Sequence, residues 1–147
     1  MAPVTGSCWC KAVKYEFDYE PTQKARVLKA MKIHSAPFAV NMMVPATEVK
    51  IVSGQDHLQR YKGVHVLGMP VTTVFCKNCG STMHKIVELE GFSHNFAIPS
   101  ATLDNVGETL GSDVIGPAQE AFLSHKPKWM PEFPQLEYAS AVQSIVQ

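Results

Sequence analysis

The chain has 147 residues, 46% hydrophobic and 18% charged, with 13 basic and 13 acidic side chains and no formal net charge at pH 7. That length and balance suit a single domain over 1–147 with one core. No polybasic run or basic–aromatic alternation offers a surface to nucleic acid or an anionic membrane, and the longest apolar run, Pro37 to Pro45, is interrupted by Asn41 and too short to span a bilayer.

Lys11 to Asp18 alternates, with Val13, Tyr15 and Phe17 on one side and Lys14, Glu16 and Asp18 on the other, which predicts a half-buried strand starting just after Cys10. Gln23 to Ser35 carries Val27, Leu28 and Met31 among lysines and is read as a short helix. Pro37 to Val44 reads as a fully buried strand ended by Pro45, and Glu48 to Ser53 as another, with Val49 and Ile51 inward. After the turn Ser53-Gly54-Gln55-Asp56, Leu58 to Lys62 continues as strand. Val71 to Phe75 enters Cys76-Lys77-Asn78-Cys79-Gly80 and Ser81 to Glu88 leaves it, so this turn is the tip of a hairpin. Ser93 to Ile98 is a further strand, and beyond Asp104 the pattern weakens, with a last helical turn from Ala139 to Gln147 left open. Many short strands and little helix indicate an all-β domain.

The chain has four cysteines, arranged as Cys8-Trp9-Cys10 and Cys76-x-x-Cys79. A CxxC turn followed by Gly is the shape of a zinc knuckle, since Gly80 can take the positive φ needed to leave the turn. A CxC pair adds two more sulfurs, and four thiolates complete a closed, structural zinc site. Two disulfides, a redox pair and ordinary core cysteines are the competing readings. Closure within CxC is strained, and a redox CxxC wants a βαβ context. Met1-Ala2-Pro3 begins no targeting sequence, so a cytoplasmic location is expected.

Gly6-Ser7-Cys8-Trp9-Cys10-Lys11-Ala12-Val13-Lys14-Tyr15 resembles the opening "G-x-C-x-C-x-x-V-x-Y" of the glutathione-dependent formaldehyde-activating enzyme family, which includes centromere protein V. Phe75-Cys76-Lys77-Asn78-Cys79-Gly80-Ser81 is similar to its "F-C-x-x-C-G-S/T" element, Pro99 to Asp104 sits where it carries a "G-T-L-D" turn, and Lys126 to Trp129 with Phe133 to Gln135 is similar to its "K-x-x-W … L-P-x-F" tail. The resemblance implies a β-tent fold, carbon–sulfur lyase-like chemistry, and one structural zinc on Cys8, Cys10, Cys76 and Cys79. It also implies a second, catalytic zinc on a "C-H-C-x-x-C" element. An ungapped count places Ala25, Val27 and Ala30 at those three cysteines, so the catalytic metal site is expected to be lost.

In the vacated pocket, His34 is the general acid–base candidate, because an unperturbed imidazole titrates near neutrality. Lys29, Phe38, Asn41 and Trp129 are the substrate-binding candidates. Against these stand plainer roles: His34 as a surface residue, Asn41 in a structural hydrogen bond, Lys29 solvating a loop, and Trp129 closing the core. His84, beside Met83, reads as an outer-face residue. The expected partner is a small-molecule substrate, with lyase or isomerase chemistry. A homodimer is left open, as are a non-catalytic glutathione-binding relic and a protein-interaction module.

Overall fold

The computed structural model of the chain describes residues 3–18, 20–21, 23–27, 31–65, 68–104, 119–122, 126–131 and 137–138. Its strands are β1 (Val4–Ser7), β2 (Lys14–Phe17), β3 (Gln23–Val27), β4 (Ala39–Pro45), β5 (Val49–Ser53) and β6 (Leu58–Val64). They continue with β7 (Pro70–Cys76), β8 (Thr82–Val87), β9 (Asn95–Pro99), β10 (Gln119–Ala121) and β11 (Glu137–Tyr138). One short helix, α1 (Met31–His34), precedes β4. The domain is all-β, as its composition of short alternating segments predicts, and no described helix is long and apolar enough to cross a membrane.

Two sheets form. The smaller has the order β1-β2-β5, and the larger runs β11-β10-β3-β4-β9-β8-β7-β6. Pairing is antiparallel apart from β10, which lies parallel to β3 and β11. Of the alternation read in Val13, Tyr15 and Phe17, the last two are the inner face of β2 and Val13 precedes it. Those residues pack with Met42, Val44, Met83, Ile98 and Leu103 into the core between the sheets. Burying a side chain such as Phe17 or Met42 contributes roughly 1.5–3 kcal/mol. β1 meets the 3₁₀ turn Ser100–Thr102 and the residues after it through a Gly6–Leu103 bridge and the Asp104 N–H bonded to the Thr5 carbonyl at 2.9 Å. Gly6 is required there, because a Cβ would strike the Tyr15 ring.

β4 is buried on both sides, with Met42 and Val44 in the core and Ala39 and Asn41 on the opposite face. Antiparallel register places Ala25, Asn41 and Pro99 in one row across β3, β4 and β9. Two residues along, Met43, Ala97 and Lys85 form the next row, so all six positions share the face away from the core.

Several expectations change. Gln23 to Val27 is a strand rather than the start of a helix, because pairing with β4 along five residues outweighs weak local helix preference, and one helical turn remains at Met31–His34. β2 begins at Lys14 because Lys11 adopts φ +60°, a left-handed conformation that no strand continues through. His84 is buried rather than on an outer face. Met83 is skipped in the β7–β8 register, and this bulge lets Met83 and His84 both be enclosed. The His84 ring stacks on Phe96 with centroids 3.9 Å apart. The open question of a helical turn over 139–147 lies outside the described residues.

Candidate functional site

The loop after β1 brings Cys8 and Cys10 to the tip of the β7–β8 hairpin, where Cys76 ends β7. Cys8 is held by its N–H to the Val13 carbonyl at 3.1 Å, while the Val13 N–H points back at Cys8 Sγ at 3.3 Å. On the hairpin side, Gly80 takes φ +77° as the knuckle reading requires, and its N–H bonds the Cys76 carbonyl at 2.7 Å. The two segments are also tied directly. Trp9 N–H donates to Ser81 Oγ at 3.0 Å, Asn78 Nδ2 donates to Cys10 Sγ at 3.2 Å, and Ser81 Oγ lies 3.2 Å from Cys79 Sγ.

All four sulfurs lie within 4.8 Å of one another, and all are free thiols. Cys8 and Cys10 are 3.5 Å apart and Cys10 and Cys76 3.9 Å, matching the separation of about 3.8 Å that four 2.3 Å metal–sulfur bonds impose in a tetrahedron. Burial, with the crowding sulfurs adding to it, pushes the Cys8 thiol up to about 11, despite the Val13 N–H. Four thiolates so placed would repel one another, and a metal ion would supply the countercharge. The cluster can hold a soft metal ion, and the N–H groups of Val13 and Asn78 would orient its thiolates.

Beside the cluster opens a cleft of about 670 Å³. One wall is the cysteine loop with Cys8 and Trp9, another is the end of α1 with Ile33 and His34, and Pro99, Ala101, Thr102 and Leu103 form a third. His34 closes α1, and Ser35 follows it at φ +50°, which turns the chain out of the helix. Its Nε2 lies 2.9 Å from Lys85 Nζ. Lys85 is 7% exposed, and this imidazole is its partner among the described residues. Burial, and after it the Lys85 charge, lowers His34 to about 4, and burial alone lowers Lys85 to about 8. The imidazole is therefore neutral at pH 7, and it is the amine whose titration falls near neutrality.

The structure thus separates the predicted residues. His34 faces the cleft. Asn41 is buried next to Pro99 in the sheet row, with its Oδ1 lacking a hydrogen-bond partner among the described residues. Phe38 lies away from the cleft lining, with the Arg26 guanidinium 5.2 Å above its ring. Trp129 is 72% exposed, so it does not close the core, and Lys29 falls outside the described residues. Two contributors escaped the sequence reading. Lys85 gave no signal, since a lone lysine in a strand is ordinarily solvent-facing. Trp9, 89% exposed between two cysteines, was legible as an aromatic with no core to join.

The family described as glutathione-dependent formaldehyde-activating enzyme matches residues 3–125. Among solved structures, the chain is similar to a Rhodobacter sphaeroides protein determined as a structural-genomics target. That likeness has 20% identity and a TM-score of 0.56, and it covers 73% of this chain and 94% of the other. No curated protein matches the chain.

Proposed function

Because this chain belongs to the glutathione-dependent formaldehyde-activating enzyme family, we propose that it is a small-molecule enzyme of lyase or isomerase type whose acid–base group is the His34–Lys85 pair. The observation that carries this reading is the 2.9 Å contact between Lys85 and an imidazole in the wall of an open cleft. A filled pocket with a broad exposed apolar patch would instead have favoured an interaction module.

Zinc is the metal that proteins of this family bind, and the four cysteines supply a closed, structural set for one ion. Of the three positions that the sequence aligns with a second metal, Ala25 and Val27 lie on β3 opposite Asn41 and Ala39 and Ala30 falls outside the described residues; none has a side-chain donor atom. Their chemistry passes to the protein's own titratable groups. His34, neutral and wedged between cleft and amine, exchanges protons with a bound substrate, and Lys85 supplies or stores them near its lowered pKa. Trp9 and the hydroxyls of Ser7 and Thr102 give the cleft a mixed lining suited to a small polar organic molecule.

The test is a turnover screen of thiol–aldehyde adducts and small electrophiles with the purified protein. Turnover of a small carbonyl or thiol adduct that falls on substitution of His34 supports the reading. Glutathione–formaldehyde condensation should show no useful acceleration. Robust zinc-dependent formation of S-hydroxymethylglutathione would instead place a second metal site that Ala25 and Val27 do not provide.

A further inference from the structure

Lys85 is a cation enclosed in the sheet, and among the described residues its company is a neutral imidazole, an arrangement that ordinary stability does not explain. Transferring an ammonium out of water costs several kcal/mol unless an opposite charge answers it. Its position is set by the strands. Lys85 lies opposite Ala97 on β9, and Ala97 and Pro99 are alternate residues of that strand, so Lys85 shares a face with the Pro99 wall of the cleft. Asn41 stands beside Pro99 in the next row, its Oδ1 unanswered among the described residues. The residues directly flanking Lys85 in register, Thr73 and Ala97, do not titrate, so among the described residues His34 is the titratable group bonded to it.

We propose that Lys85 is a nucleophilic amine that condenses with a small aldehyde entering the cleft past His34, giving an imine. The inference deepens the small-molecule reading above and rests on it, naming aldehydes of a few carbons as the substrate class. The lone pair of Lys85 Nζ attacks the carbonyl carbon, the N–C bond forms, and the C=O π pair moves to oxygen. A proton passes from nitrogen to that oxygen, giving a carbinolamine. A second proton transfer releases water as the C–O bond breaks and C=N forms. No electron is gained or lost overall, and one water leaves for each aldehyde bound. His34 Nε2, 2.9 Å from the amine, is placed to carry these protons, and the size limit follows because only 7% of Lys85 is exposed.

The electrostatics agree with the geometry. With its pKa lowered to about 8, roughly a tenth of the amine is unprotonated at pH 7, against less than a thousandth for an ordinary lysine. Desolvation of this kind is how lysines become Schiff-base nucleophiles.

The experiment is borohydride trapping of the full chain with propanal at pH 7.5, followed by peptide mass mapping. Reduction of an imine leaves a propylated lysine. Lys85 should be modified at least ten times faster than the exposed Lys50 and Lys62, which serve as internal references. His34→Asn, checked for folding by near-ultraviolet circular dichroism, should slow trapping at Lys85 about tenfold and leave the references unchanged. Because the main measurement uses the unaltered protein, a variant that fails to fold does not affect it. Modification of Lys50 and Lys62 with Lys85 untouched, or at equal rates, overturns the proposal. Turnover in the adduct screen without trapping at Lys85 sinks the imine and leaves the acid–base reading intact. A Lys85 adduct without turnover of thiol adducts supports the imine and removes thiol adducts as substrates.

Discussion

Four sulfurs within 4.8 Å of one another come from two tight sequence pairs, whereas the cleft-wall imidazole and the amine bonded to it come from positions 51 residues apart with no motif around either. The cysteine cluster is written in residue type and spacing: two short motifs on two loops bring four sulfurs together. The His34–Lys85 pair is made by its surroundings. In water neither side chain would be unusual. Enclosure by the sheet brings the amine toward neutrality and moves the imidazole away from it. Chemistry specified by spacing can be read from a chain, while chemistry specified by burial waits for the fold.

The sharpest way to break this contrast is at the cluster. Cys76→Ser removes a sulfur from a fully buried position, and if one zinc is held there the domain should lose on the order of 10 kcal/mol and fail to fold. Elemental analysis should give one zinc per wild-type chain, and an unchanged melting temperature in the variant would count against a structural metal. Next in size is His34→Ala. Removal of a general acid–base group lowers kcat by about 10²–10⁴-fold, with the fold retained because the side chain stands in a cleft wall. Steady-state kinetics on the substrate from the screen provide the check, and full activity would take His34 out of the mechanism.

Lys85→Met sharpens the other half. Folded Lys85 loses its proton near pH 8, and the unfolded side chain near 10.4. Between those values the unfolded state holds the extra proton, so wild-type stability should rise with pH across that window, by on the order of 3 kcal/mol. Below pH 8 the cost of the buried charge is fully present. The variant should lack the rise, and matching pH profiles in urea denaturation would show that the amine is solvated after all. The smallest effect belongs to Asn78→Ala, which deletes the N–H donated to Cys10 Sγ. Loss of such an orienting contact should weaken metal retention about tenfold against a chelator, leaving the fold unchanged.

How far the sequence could be read follows the same division. Val13, Tyr15 and Phe17 announced β2 because alternation over a half-buried strand is a local property, and Gly80 announced its own backbone angle. Gln23 to Val27 did not, since what makes it a strand is β4, a distant partner whose register no local window contains. His84 was misplaced because one skipped residue in the β7–β8 pairing changes which side of the sheet is inside. Trp129, a substrate-binding candidate whose plainer role was to close the core, is exposed and so does not close it, because prolines around an aromatic say nothing about what lies beneath it.

The 3.9 Å approach of Cys10 to Cys76 has a consequence for how the chain assembles. These residues are 66 apart in sequence, yet Cys76 and Cys79 occupy one hairpin tip, whose closure is local and fast. A metal ion captured first by that local pair would wait, half-coordinated, for the amino-terminal loop. Completing its shell would then close a long loop, an entropic penalty of roughly 4 kcal/mol that the unfolded chain would otherwise meet during sheet docking. The amino-terminal sheet would therefore be the last part to settle. Metal supply during synthesis, more than the sequence of either sheet, would set how long the open face of the larger sheet stays exposed.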